Sequence, residues 1–136
     1  MDIYLLESID DCYRMGLVAR MPFFEGWRPA YKYLAAADPA NHDEVVGLIC
    51  FKDTTAYVPD FLGLTYLTVA RAHRNKGVAT ALAQALFARA KAMRKGVFVS
   101  AYEPDGRRYL RKVLRRTSRS LKVPLLEFGE YLLSKP

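Results

Sequence analysis

The sequence predicts an α/β domain built on a mixed sheet of about six strands, and three observations carry that expectation. The chain has 136 residues, 51% hydrophobic and 26% charged, which suits one globular core spanning residues 1–136 without metal or disulfide staples. From Phe61 onward, strand-like and helix-like stretches alternate, an order that calls for parallel strands joined by helical crossovers. Before that point, two strand candidates flank the turn cluster DPANHD, which suggests an antiparallel hairpin.

Taken in order, YLLESIDDCYRMGLVARM opens as a short strand followed by a helix, with Ser8 or Asp10 as N-cap and Tyr13, Leu17 and Met21 at helical spacing. Pro22 ends it, and an aromatic-rich loop follows, with Phe23, Phe24, Trp27, Tyr31 and Tyr33 interrupted by Gly26 and Pro29. Tyr31 to Ala37 and Glu44 to Lys52 form the hairpin. Phe61 to Ala70 is a third strand, rich in β-branched and aromatic residues. From Gly77 to Met93 the apolar residues recur every three or four positions in an alanine-rich context, which predicts a helix. Arg94 and Lys95 suit its C-terminus, and Gly96 is expected as its C-cap. Gly96 to Tyr102 then reads as a strand. A second helix is expected from near Pro104, with Leu110, Val113, Leu114, Thr117 and Leu121 on one face. Val123 to Leu133 closes as one strand, a turn and a short tail.

The chemistry concentrates at the junction between the third strand and the first long helix. There Arg74, Asn75, Lys76 and Gly77 make a tight bend, and Val78, Ala79 and Thr80 begin the helix. The first four N–H groups of a helix have no internal partner, and the helix dipole favours negative charge at the same end. Such a bend is an anion site, and phosphate is its natural guest. Gly77 permits close approach or a positive φ. A P-loop or a dinucleotide fingerprint needs lysine or glycine spacings that this stretch lacks.

Arg74-Asn75-Lys76-Gly77-Val78-Ala79 resembles the acetyl-CoA signature of the GNAT superfamily of N-acetyltransferases: Gln or Arg, two variable residues, Gly, one variable residue, then Gly or Ala. The strand before it and the helix, strand and helix after it match the family's order over roughly Glu44 to Leu114, and the first forty residues match in layout only. The resemblance implies a GNAT-like fold with a splayed pair of parallel strands, and acetyl transfer from acetyl-CoA to an amine by direct attack. By position, the pyrophosphate falls on the amides of Arg74 to Thr80, and the pantetheine arm on the strand backbone at Leu67, Thr68 and Val69. A backbone N–H near Val69 would stabilise the oxyanion. The resemblance also implies Tyr109 as the acid that protonates the leaving thiolate, with Tyr102 in reserve. Core packing against Val113 is the competing role for Tyr109. The family's asparagine seven residues before that tyrosine is replaced here by Tyr102. The strand carries no glutamate to act as base, which leaves Glu103, Glu25 or a chain of water. The aromatic loop occupies the position where the family builds its acceptor site.

Several classes are set aside. No segment has the ~18 apolar residues of a membrane span, and acids occupy the N-terminus where a signal peptide carries positive charge, so a cytoplasmic location is expected. Cys12 and Cys50 lack ligand spacing and suit buried apolar roles, and His42 and His73 have no spaced partners, so no metal is expected. The net charge of +7 is local: eight bases and no acid lie between Arg107 and Lys122, against 13 bases and 14 acids elsewhere. A solvated helix face is the default reading of that run. A nucleic-acid binder that uses this helix, and a CoA-binding relative without catalysis, are the rival functions. The expected partners are acetyl-CoA and an amine-bearing small molecule or protein, not nucleic acid or membrane. The C-terminus is short for the family's last hairpin, and a second copy of the chain, as a homodimer, could complete it.

Overall fold

The computed structural model describes residues 2–6, 31–41, 44–53, 55, 58–100 and 107–127. Six strands form one sheet in the order of the chain: β1 (Asp2–Leu6), β2 (Lys32–Asp38), β3 (Glu44–Lys52), β4 (Phe61–Val69), β5 (Gly96–Val99) and β6 (Leu125–Glu127). The first three junctions are antiparallel and the last two parallel. Helix α1 (Val78–Ala92) links β4 to β5, and α2 (Arg107–Leu121) lies between β5 and β6. The expected α/β architecture is therefore present, and β3 has the expected bounds. The helix expected after β1 and most of the aromatic loop lie outside the described residues. No helix among those described is long and apolar enough to cross a membrane.

Side chains alternate across the sheet with the two-residue period of a strand. Leu34, Ile49, Phe51, Leu62, Leu64, Val97 and Val99 join the cluster that also holds Leu82, Leu86 and Phe87 of α1 and Leu114 of α2. Tyr33, Ala35, Leu48 and Cys50 are buried on the opposite face. Cys50 thus has the apolar role expected of it.

Small residues draw α1 close to the sheet at the end where it begins. Ala79 and Ala83 are buried on its inner side. Beneath them, a Cβ added to Gly47 of β3 would lie 2.7 Å from Val78 Cγ1 and 2.9 Å from Leu82 Cδ1. No real side chain sits that close, so the glycine is a condition for seating the helix.

The far end of α1 departs from expectation. The residue with left-handed φ after the helix is Arg94, at 57°, not a glycine. Lys95 N–H donates to Ala90 O at 2.8 Å and Arg94 N–H to Lys91 O at 3.1 Å, the paired bonds of a Schellman motif. Gly96 is instead the first residue of β5. A Cβ there would lie 2.4 Å from a ring carbon of Phe61 and 2.8 Å from Pro124 O. Its lack of a side chain serves packing rather than backbone conformation. One further boundary differs: the C-terminal strand is the three-residue β6, parallel to β5; the start of α2 expected near Pro104 lies outside the described residues.

Candidate active site

Among the described residues, strand β4 holds two partners over its first half and one over its second. Phe61 to Leu64 pair in parallel with Gly96 to Val99 of β5, and the pairing stops there. On the other side, β4 stays paired to β3 as far as Val69. The departure coincides with a bulge: Phe51 faces Leu64 and Cys50 faces Tyr66, so Thr65 is the extra residue. A bulge bends its strand and sharpens the local twist, and this one falls where the described pairing with β5 ends.

The bulge also changes which residues face the open edge. Before it, Asp60 O accepts from Gly96 N–H at 3.0 Å, on the β5 side. After it, Ala70 N–H donates to Val46 O at 2.8 Å, and Thr68 O lies 3.4 Å from where a Cβ on Gly47 would stand. Ala70 and Thr68 therefore address β3, and by alternation Leu67 and Val69 turn their amides and carbonyls to the free edge. All three of Leu67, Thr68 and Val69 are partly buried.

At the end of β4 the chain makes a single 3-10 turn, Arg71–His73, and then the bend. Asn75 has φ 62° and Gly77 φ 82°. Asparagine tolerates the left-handed region better than most residues, and glycine enters it without penalty. Nothing lies within 4 Å of a Cβ built on Gly77, so the position is both conformationally demanding and spatially open. The first helical bond runs from Ala81 N–H to Gly77 O at 3.0 Å. The N–H groups of Gly77, Val78, Ala79 and Thr80 precede it without a helical acceptor. Arg74, Asn75 and Lys76 are exposed around them, and Arg74 Nε reaches back to donate to Val69 O at 3.2 Å. Positive charge, free donors and open space thus converge where the free edge of β4 ends. That cradle suits a phosphate-bearing ligand with an extended arm.

Tyr109 stands in the first described turn of α2 and is 49% exposed. The core-packing role weighed for it does not hold, because Leu110, Val113 and Leu114 supply the packed face. Tyr102, Glu103 and Glu25 lie outside the described residues, as do Cys12, His42 and Trp27. Among the described residues no three His, Cys, Asp or Glu side chains gather in a way that could hold a metal.

Two acids were not legible in the sequence as structural centres. Asp53, just after β3, receives Arg89 Nε at 3.1 Å, Arg89 Nη2 at 3.0 Å and Lys32 Nζ. Burial pushes its carboxyl upward, but the hydrogen bonds and charges of Arg89 and Lys32 outweigh that, and its pKa falls below the ordinary 3.8. Glu127, buried at the end of β6, receives Arg115 Nε at 2.8 Å and lies 3.4 Å from Arg111 Nε. A lone acid in the apolar stretch VPLLEFG, after a run of bases, is the signal that could have found it.

Comparison with known proteins agrees with this geometry. Residues 3–113 match the Acetyltransferase (GNAT) family. No curated protein matches the chain. Among solved structures, a ribosomal-protein-alanine N-acetyltransferase from Brucella melitensis biovar Abortus 2308 is similar, with 25% identity over 83% of this chain and 91% of that one, at a TM-score of 0.61. The Tetrahymena GCN5 structure shares the fold at 15% identity, covering 83% of this chain and 78% of its own, with a TM-score of 0.62. So does AAC(6')-Iy, solved with the bisubstrate analogue CoA-S-monomethyl-acetylneamine, at 13% identity, 90% coverage of both chains and a TM-score of 0.55. With most of its length matched and its fold shared, the chain belongs to the GNAT acetyltransferase family.

Proposed function

We propose that this protein moves the acetyl group of acetyl-CoA to an amine on a small molecule or protein, by direct attack of the amine. The observation that carries the reading is the second half of β4, which among the described residues is paired to β3 alone, leading into the Gly77 bend. The residues fit the co-substrate: amides from Arg74 to Thr80 for the pyrophosphate, with Arg74 and Lys76 adding charge, and the β4 edge for the pantetheine arm.

In this reading Leu67 and Val69 offer backbone groups to the arm, with Thr68 between them. The Val69 carbonyl already accepts from Arg74, so the Val69 N–H is the donor left to face the thioester oxygen. A fixed donor aimed at growing negative charge lowers the barrier without reorganisation. Tyr109 supplies the proton to the departing sulfur. Because β4 carries no acid, the amine loses its proton to water or to a residue beyond those described.

Titration calorimetry with acetyl-CoA tests the reading, and heat at micromolar concentrations is the expected result. Gly77→Glu places bulk and negative charge in the cradle, and should abolish that heat in a protein whose circular dichroism is unchanged. Silence with both acetyl-CoA and CoA in the wild type removes the proposal. Tyr109→Phe should lower kcat by about 10²-fold or more with KM little changed. Tight binding without turnover toward any amine would identify the non-catalytic relative instead.

A further inference from the structure

Helix α2 carries more positive charge than its packing uses. Its inner face is Leu110, Val113, Leu114, Thr117 and Leu121, with Thr117 Oγ1 donating to Val113 O at 2.8 Å. Arg111 and Arg115 flank that face and meet Glu127. Arg108, Lys112, Arg116 and Arg119 remain, all exposed and without an ion pair to any described residue. They are four, four and three residues apart, so they fall within one arc of roughly 80° and form a line about 16 Å long.

Nothing among the described residues rewards that line. Arg108 with Lys112, and Lys112 with Arg116, are like charges at helical i,i+4 spacing, which oppose helix formation. The first described turn of α2 holds no acid, and cations near a helix N-terminus face the unfavourable end of the dipole. An arrangement that works against its own helix is relieved by an external anion.

We propose that this outer face of α2 is a docking surface for single-stranded nucleic acid, held through its phosphates. The cations form a single line, which matches one phosphodiester strand, whereas spanning a duplex groove takes two. Three of the four are arginines, which fork onto phosphate oxygens. From Arg107 to Leu121 there is no Asp or Glu, so no acid on the helix opposes a phosphodiester strand lying along it. Leu110, Val113, Leu114 and Leu121 are packed inward and Tyr109 is the one exposed large apolar side chain described on α2, too little apolar surface to insert into a lipid layer. The proposal departs, for single strands, from the expectation that nucleic acid is not a partner.

The test is fluorescence anisotropy with labelled 20-nucleotide oligouridylate and oligothymidylate across a salt series. Both should bind alike, with an affinity that falls steeply with salt. Replacing Arg108, Lys112, Arg116 and Arg119 with glutamine should weaken binding more than about tenfold at 0.1 M salt, and flatten the log–log salt slope by about 0.7 for each phosphate no longer neutralised. The same variant should melt no lower than the wild type, since only repulsion is removed. Lys112→Gln with Arg116→Gln should cost far more than Arg94→Gln with Lys122→Gln, which removes equal charge elsewhere. Gly77→Glu should leave oligonucleotide binding intact, which separates this surface from the acetyl-CoA site. Equal losses from the two pairs, absence of binding at 50 mM salt, or tighter binding of a duplex overturns the proposal. So does equally tight, α2-dependent binding of polyglutamate or anionic lipid vesicles.

Discussion

The two ends of the sheet put the same residue types to opposite uses. At the end where β4 stops and α1 begins, Gly77 has a positive φ and open space beside it, Arg74 and Lys76 are exposed, and four helix amides lack helical acceptors. At the other end Gly96 is walled in by Phe61 and Pro124, and Arg89 and Lys32 close on Asp53. Lys91 Nζ donates to Leu121 O at 3.1 Å, so one helix side chain satisfies the other helix's terminal carbonyl. One end consumes its hydrogen-bonding capacity in holding the fold, and the other leaves it available. A family of enzymes that must admit a long co-substrate between two strands needs that asymmetry, because opening both ends would leave β4 and β5 without anchorage.

Substitutions at the two glycines sharpen the contrast most. Gly96→Val should be the most damaging, since its Cβ would meet a phenyl ring and a backbone carbonyl that cannot both retreat. Overpacking of this kind costs about 1–3 kcal/mol or more. The expected result is a clear fall in melting temperature, with acetyl-CoA affinity per folded molecule unchanged. If affinity fell while stability held, the closed end would be part of the site after all.

Asp53→Asn comes next. It removes the charge that Arg89 and Lys32 share, and the exposed fraction of those side chains limits the loss to about 1–2 kcal/mol in urea unfolding. The same group predicts a pH dependence. Its folded pKa lies below 3.8, so the native state releases this proton more readily than the unfolded chain does. Its stabilising contribution is full above the unfolded value and is lost as pH falls through the folded one. Stability should therefore drop as pH falls below about 4, more steeply in the wild type than in Asp53→Asn. Parallel curves would show that the carboxyl is not anchored as described.

Gly77→Ala is the mildest in stability and the most telling in function. An alanine meets no neighbour within 4 Å of its Cβ, so only the left-handed backbone is strained, at about 1 kcal/mol. Acetyl-CoA affinity should fall by a larger factor than that stability loss, because the methyl group occupies the cradle. Unchanged affinity would make the bend a turn and nothing more.

Much of the open end was legible along the chain. A strand rich in β-branched residues, a glycine bend and an alanine-rich helix are local signals, each set by propensity or periodicity over a few turns of chain, and they place Arg74 to Thr80 at a helix N-terminus. The order of the elements from Phe61 onward follows in the same way, as does the concentration of bases on one helix. The closed end was not legible, because its contacts join residues far apart in sequence: Asp53 with Arg89, Lys91 with Leu121, Gly96 with Phe61 and Pro124.

What the sequence determined by itself is therefore the kinds of element, their succession and the residues of the anion-binding bend, all governed by interactions within a few residues. Only the tertiary structure decided that Thr65 bulges out, that Leu67 and Val69 rather than Thr68 address the free edge, and that Gly96 is a packing residue while Arg94 takes the left-handed turn. It alone sorted the cations of α2 into those that meet Glu127 and those that face outward. Strand register and side-chain pairing depend on which distant partner lies alongside, and no local pattern of residues carries that information.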